Sequence, residues 1–484
     1  MEIFTTDVLI LGGGLSAYMA AYTMLKKRKK DRIMIVSPGR GGESARGLNG
    51  MALPRMDGDT IGQYTRDTLA AGVRQNDPAL VKALCEESAQ IFDRARAFAD
   101  FGPPEEGGRF RPVIGYKKAL WQELSANVGK YAEVKEGCHG LRLFVQDDRI
   151  QGALCYDEPN RAFFAVSVGT VVLATGGYSD LYRENMDIKS LRSAGSGLGL
   201  AYFAGAELAD LEFTAVGEQG VTTLGGVVID NQCRTSVPGL LACGGVAAGV
   251  HGAGLIKGNA ETAALVFGRR AGHTLARMDF LPGADEETLY NWVGETVFVG
   301  QRDQSAPFSC IRHEITHTLN ASAGEIRTQE KIEDGLEIIA HLQHELNELD
   351  LCPLPQVYEK MELEFGLIAA RLTLLASLER EECCGCFKRA ATRPAAQAAQ
   401  EEPAQEEMPE AAEKEAAEAL PESADQPAEK DSDSDAAVVC EPPKEPEGEQ
   451  ITELVEKEVS PYRVIMKLEN MILTPRKAPW HTEE

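Results

Sequence analysis

With 484 residues, 43% of them hydrophobic, the chain is long enough to bury two or three cores and has the composition of a globular protein. Its formal net charge of −26 argues against nucleic acid or an anionic membrane as the main partner, because both would repel it. Much of that charge is local: residues 401–450 hold 18 acidic residues against 3 lysines.

The opening "MEIFTTDVLIL" lacks a basic region and a long apolar run, so no secretory signal is expected. Within it, "DVLIL" at 7–11 reads as a short buried strand, "GGGLSAYMAAYTMLKK" as a glycine turn feeding a helix, and "RIMIV" at 32–36 as a second strand. Gly12, Gly14 and Ala17 form G-x-G-x-x-A between strand and helix, where the backbone of this loop, including Leu15 and Ser16, can approach a pyrophosphate at the helix N-terminus. Alone, the motif is hard to tell from an ordinary tight turn. After the second strand comes Ser37, where many dinucleotide folds carry an acid for a ribose hydroxyl.

Further strands are expected in "GTVVLATGG" at 169–177, "GGVVID" at 225–230 and "GLLACGG" at 239–245, with a helix after Asn259. Strands scattered around one β–α–β unit predict an α/β fold: a Rossmann-like doubly wound domain assembled from distant segments. From about 260 to 389 the periodicity is helical. Residues 390–450 are dominated by Ala, Glu, Pro, Gln, Asp and Ser, which predicts disorder. The last stretch regains apolar and aromatic residues and is expected to dock back. No run of about 18 uncharged apolar residues occurs, so no membrane span is expected. Eleven irregularly spaced cysteines fit the reduced thiols of a cytoplasm.

In chain order, "DVLILGGGLSAYMAA", Ser37, "ESARGLNGMA" at 43–52, "RDTLAAGVRQND" at 66–77, "VVLATGGYSDLY" at 171–182, "AGAELADLEF" at 204–213, "GGVVID…RTSVPGLLACGGVA" and "VHGAGLIKGNAETAALVFGRRAG" resemble one family. It is that of the flavoprotein subunits of succinate dehydrogenase and fumarate reductase, together with L-aspartate oxidase. The likeness is strong over residues 5–275 and weaker as far as "ASLEREECCGCFKR", similar to the family's "ESRGAHYR". It implies FAD, with its pyrophosphate on the first glycine loop and its flavin near residues 44–52 and the helix after Asn259. Implied contacts beyond the loop and Ser37 are Ser44, Asn49, Gly50, Met51, Ala174, Thr175, Gly176, Gly244, Gly245, Asn259 and Ala260. The family's covalent histidine falls on Glu43, which implies FAD held non-covalently.

The departures bear on substrate. The family's capping domain is reduced to residues 214–224, and the arginine it supplies as proton donor goes with it. Two further histidine positions fall on Gly217 and Val221, the carboxylate-gripping arginine falls on Leu255, and two acidic flavin contacts fall on Gly245 and Ser196. His251 matches the family's histidine, although a lone histidine in a glycine turn is more often structural, and Lys257 is a weak candidate for a replacement cation. Cys383, Cys384 and Cys386 read as helix-end thiols without a metal, with redox exchange as the alternative.

These readings divide the chain into an FAD-binding domain (1–262), a helical C-terminal domain (263–389), a disordered acidic linker (390–450) and a returning segment (451–484). The leading expectation is an FAD-dependent oxidoreductase passing electrons between FAD and a partner, for which the resemblance suggests an iron–sulfur electron-transfer subunit, or a substrate that is not a C4 dicarboxylate. Any membrane association is expected through that partner. Ordinary succinate, fumarate or L-aspartate chemistry and a non-catalytic assembly protein remain open.

Overall fold

The computed structural model describes residues 1–39, 49–54, 59–97, 99–105, 108–116, 120–184, 194–217, 220–297, 307–349, 354–390, 463–469 and 472–478. Residues 1–391 and 455–484 form one compact unit; residues 392–454, which include most of the expected acidic linker, lie outside the described residues.

Strand β1 (Glu2–Thr5) precedes β2 (Val8–Leu11), whose four side chains are all buried. The turn at Gly12 leads into α1 (Leu15–Leu25), and β3 (Ile33–Ser37) completes the expected β–α–β unit. Then come β4 (Gly50–Ala52), α2 (Ile61–Ala71), α3 (Pro78–Ala95), β5 (Ala99–Phe101), β6 (Phe110–Tyr116) and α4 (Leu120–Val128). Asp77 caps α3 by accepting from the Ala79 and Leu80 amides, with Pro78 at the first helical position.

After β7 (Glu133–Glu136) comes a meander of β8 (Cys138–Gln146), β9 (Arg149–Asp157) and β10 (Ala162–Ser167), before β11 (Val171–Leu173). The β8–β9 hairpin turns on Asp147 and Asp148, both at positive φ (54° and 57°), a conformation that aspartate tolerates and that suits the twist of the strands. Next come α5 (Ser196–Phe203), β12 (Leu208–Ala209), the hairpin β13 (Thr214–Gly217) and β14 (Gly220–Thr223), β15 (Gly226–Val227) and β16 (Leu240–Ala242). The chain closes with α6 (Asn259–Leu275), α7 (Glu286–Thr296), α8 (Phe308–Ser322), β17 (Ile326–Arg327), α9 (Gln329–Asn347), α10 (Leu354–Glu379), β18 (Lys388–Arg389), β19 (Arg463–Glu469) and β20 (Ile472–Ala478).

The central sheet is parallel, in the order β16-β11-β2-β3-β7, and its fully buried apolar strands β16, β11, β2 and β3 need cover on both faces, while β7 is a polar edge. Helices α1 and α6 supply one cover. They approach closely because a Cβ at Gly268 would stand 2.6 Å from the Ser16 carbonyl oxygen. A second sheet, β1-β10-β9-β8, extends from this layer.

The expected strand at 225–230 shrinks to the two residues of β15, which joins the sheet β15-β12-β19-β20. The C-terminal hairpin enters that sheet through Leu208 against Met466, and Met466 is fully buried. The expected boundary at 262/263 falls inside α6, whose first turn belongs to the cavity described below while its body packs on α1. Among the described residues no helix is long and apolar enough to cross a membrane.

Candidate cofactor site

Four parallel strands end together beneath the first glycine loop. The Gly12 amide donates to the Val36 carbonyl (2.9 Å), Ala174 to Leu11 (2.8 Å) and Cys243 to Leu173 (2.9 Å), so β2, β3, β11 and β16 finish at one level. Above them opens a cavity of about 640 Å³, a volume suited to a cofactor. Gly12 must be glycine: its φ is +119°, and a Cβ there would lie 2.1 Å from the Ala174 carbonyl oxygen. Gly14 caps α1 with no side-chain hydrogen bond, leaving the first amides of the helix and its positive dipole end facing the cavity.

Of the residues expected to touch a cofactor, Gly12, Gly14, Leu15, Ser16, Ser37, Asn49, Ala174, Thr175, Gly176, Gly244, Gly245 and Ala260 line this cavity. Ala17, Gly50, Met51 and Asn259 do not. Ala17 is packed inside α1, Gly50 and Met51 are enclosed in β4, and Asn259 is a buried strut whose Oδ1 accepts from the Tyr64 hydroxyl at 2.7 Å. That strut fixes α6 to β4: Thr262 Oγ1 donates to the Ala52 carbonyl (3.1 Å), and the Ala52 amide to the Gly258 carbonyl (3.2 Å). Glu43 and Ser44 lie outside the described residues. Ser37 turns its hydroxyl to the Gly39 carbonyl at 2.6 Å.

His251 lines the cavity, and its Nδ1 has no hydrogen-bond partner among the described residues. Burial pushes its pKa down to about 4, so the imidazole is neutral around pH 7, able to donate from one nitrogen and accept at the other. Lys257 does not line the cavity. Its ammonium lies 2.8 Å from the Glu105 carboxylate and over the Phe110 ring, half exposed, because the turn at Gly258 carries it outward.

Val221, Leu255, Gly245 and Ser196, where the family resemblance implies histidine, arginine, glutamate and aspartate, all line the cavity wall. Gly217 stands away from it on β13. Short or apolar side chains at these positions leave the wall without the expected charges. Sequence reasoning missed Arg183, Arg312, His139, Glu158, Glu261, Tyr358 and Glu362, which also line the cavity. Apart from Glu261, which sits in the first turn of α6 within the last glycine motif, they arrive from outside the glycine motifs, and none carries a local spacing signal. Arg183 lies 3.4 Å from the buried Asp180 carboxylate, and Arg312 is itself largely buried.

The C-C-x-C segment packs behind this end. The Cys386 amide donates to the Ala253 carbonyl (2.8 Å), and Cys384 shares a small apolar cluster with Phe213, Leu224, Ala253 and Phe387. Burial pushes the Cys384 thiol up to about 11 and Cys386 up to about 12, which keeps both protonated and weakly nucleophilic. Among the described residues no group of three or more His, Cys, Asp or Glu side chains could hold a metal ion.

Beneath it is a buried ionic network. Arg380 Nε donates to Glu212 at 2.7 Å, with neither side chain exposed. Arg327 Nη1 donates to the Glu212 carbonyl (2.9 Å), and its Nη2 to Thr214 Oγ1 (2.5 Å). These bonds fix the chain where it enters the β13–β14 hairpin, whose Thr222 and Thr223 face the cavity.

Comparison with known proteins matches residues 7–222 and 216–260 to the FAD binding domain family and residues 312–399 to the fumarate reductase flavoprotein C-terminal family. The chain is 21% identical to an uncharacterised FAD-dependent oxidoreductase of Methanocaldococcus jannaschii, over 79% of this chain and 93% of that one. It is 23% identical to one of the subunits of the CoM/CoB fumarate reductase of Methanothermobacter marburgensis, over 80% and 94%. The fold is like that of FrdA of E. coli quinol fumarate reductase (TM-score 0.71, 18% identity, 81% of this chain and 92% of that one).

Proposed function

The chain belongs to the FAD-binding family of the succinate dehydrogenase and fumarate reductase flavoproteins, and from that premise we propose that it passes electrons between non-covalent FAD and a donor or acceptor other than a C4 dicarboxylate. The observation that carries this reading is the cavity wall, where Leu255 and Val221 stand at positions for which the family resemblance implies a carboxylate-gripping arginine and a histidine.

The residues present fit the cofactor. The glycine cradle at Gly12 and Gly13 has no room for a Cβ, the α1 amides face the cavity, and His251 offers an unpartnered nitrogen. Bound FAD supplies hydride or single-electron transfer at its flavin ring. The α1 amides would hold its pyrophosphate, and the N-terminal end of α6 would stabilise negative charge placed near it. His251, neutral and hydrogen-bond competent, can orient a polar group without adding charge. Arg183 and Arg312 bring positive charge to the same cavity. A short hairpin, β13–β14, stands where the family resemblance implies a capping domain, so the site is open enough for a bulky donor or a partner's redox group; the family resemblance favours an iron–sulfur subunit in that role.

The flavin-loaded protein is expected to show no measurable succinate oxidation, fumarate reduction or L-aspartate oxidation, and Leu255→Arg alone to restore none, because positioning and charge stabilisation act as a unit. Steady-state assays with each compound check this, and turnover at rates ordinary for an enzyme (about 1 s⁻¹ or more) would overturn it. Lys257→Ala, which breaks only a surface pair, is expected to leave FAD affinity within about twofold and stability within about 0.5 kcal/mol in equilibrium titration and denaturation.

A further inference from the structure

In a Rossmann arrangement the ribose lies at the end of the second strand, which here is Ser37. Across the sheet Ser37 pairs with Glu136, and His139 follows at the start of β8. Ser37, Gly39, His139 and Gly140 line the same cavity. Ser37 offers the ribose no carboxylate, yet Glu158 from the turn after β9 and Glu359 and Glu362 from α10 line that cavity too.

Helix α10 reaches this end through a set of matched contacts. The Tyr358 hydroxyl lies 3.1 and 3.2 Å from the two ring nitrogens of His139. Glu362 lies 3.5 Å from His139 Nδ1, and Glu158 lies 3.4 Å from its Nε2. The Tyr358 ring stacks on Tyr156 at 4.4 Å and tilts against His139 at 4.8 Å, while Tyr156 and His139 are cross-strand neighbours. Further along α10, Glu364 pairs with Arg142 of β8.

We propose that the N-terminal half of α10 is a latch over the adenosine end of the cavity, in which Tyr358 and Glu362 close on His139 and so retain the adenosine half of FAD. The proposal rests on the FAD reading above. It makes His139 a positioning residue, since it acts through α10.

The latch is sensitive to protons. Burial disfavours the His139 imidazolium, but the Glu362 and Glu158 carboxylates outweigh it and raise the pKa above the usual histidine value. Among the described residues Tyr156, Tyr358 and Glu359 also surround it and Arg142 of β8 faces Glu362; burial raises both tyrosines, keeping them neutral. A raised histidine pKa gives a hold that is complete below the unlatched pKa and is lost as pH rises through the latched one. FAD should therefore leave faster at high pH.

The test is the FAD release rate of the flavin-loaded full chain, followed by flavin fluorescence on dilution between pH 6 and pH 9. The wild type is expected to release FAD about tenfold faster at the high end, the scale of one lost charge-assisted hydrogen bond. His139→Gln is expected to release fast throughout, with the pH dependence gone. Tyr358→Phe keeps the stacking, guards against a folding failure of the first variant, and is expected to be faster than wild type at low pH. A release rate with the same pH slope in wild type and both variants overturns the latch alone. A chain that takes up no FAD at any pH fails the cofactor reading itself, and the latch with it.

Discussion

Gly12→Ala is expected to weaken FAD binding by at least about tenfold, while Gly62→Ala, the same chemical change, leaves it untouched. At Gly12 the new methyl would stand 2.1 Å from the Ala174 carbonyl and 2.5 Å from its carbon, both backbone atoms that cannot step aside without moving β11. The φ of +119° is also one that alanine rarely adopts, at a cost of roughly 1–3 kcal/mol. To relieve the clash the loop would lift away, and the α1 amides would no longer reach a bound pyrophosphate. Losing one or two charge-assisted hydrogen bonds, at roughly 1.5–3 kcal/mol each, accounts for the expected loss. At Gly62, in the first turn of α2, the nearest atom to an added methyl is the end of a side chain 3.7 Å away. Helix propensity makes that change neutral or slightly stabilising. Equilibrium titration with FAD measures both, and equal affinities for the two variants would show that the loop at Gly12 does not bear on the cofactor.

Arg380→Ala is expected to cost roughly 3–5 kcal/mol of unfolding free energy, the usual penalty for stranding a buried charge. The Glu212 carboxyl is already pushed up by burial, with Arg380 opposing that shift; it is fully enclosed, and its Oε2 has no hydrogen-bond partner among the described residues. Removing the guanidinium also strips the cation from the Phe213 ring, 4.7 Å away. Replacing both partners, Glu212→Gln with Arg380→Met, is expected to recover most of the loss, since neither charge of that pair is then left without its partner, while Arg327 keeps its bonds to the residue 212 carbonyl and Thr214. Denaturant unfolding of the two variants and the wild type tests this. A single variant within about 1 kcal/mol of wild type would mean that the network contributes little to holding the hairpin entrance.

The first β–α–β unit was legible because its signal is local: a buried run, a glycine turn and a helix follow one another without interruption. The strands at 171–173 and 240–242 were legible for the same reason, though shorter than expected, because each ends where its backbone turns into the cavity floor. The β8–β10 meander went unread, although the Asp147–Asp148 pair between two apolar-rich runs is a hairpin signal. The division into an FAD-binding and a helical domain was drawn from the change in periodicity, but α6 begins at the cavity and ends against α1, so packing crosses that border.

At the site, cavity-lining backbone positions such as Gly12, Ala174 and Gly244 could be read from glycine patterns, which report where a chain must come close to something. Asn259, Gly50 and Met51 were expected in the cavity and instead hold its wall, a distinction between supporting and lining that depends on side-chain direction. His139 and Tyr358 lie 219 residues apart and meet only because α10 crosses β8, so no spacing in the sequence announces them. Lys257, a weak candidate for a replacement cation, does not line the cavity and pairs with Glu105, 152 residues away in the sequence.

The most direct measurement is the absorption spectrum of the purified chain after incubation with FAD and gel filtration, taken before and after acid precipitation. Non-covalent FAD, which we propose because the family resemblance puts Glu43 at the position of a histidyl linkage, predicts flavin bands that travel with the protein and then pass wholly into the acid supernatant. A colourless chain that takes up no flavin, or flavin that stays with the precipitate, would contradict the account.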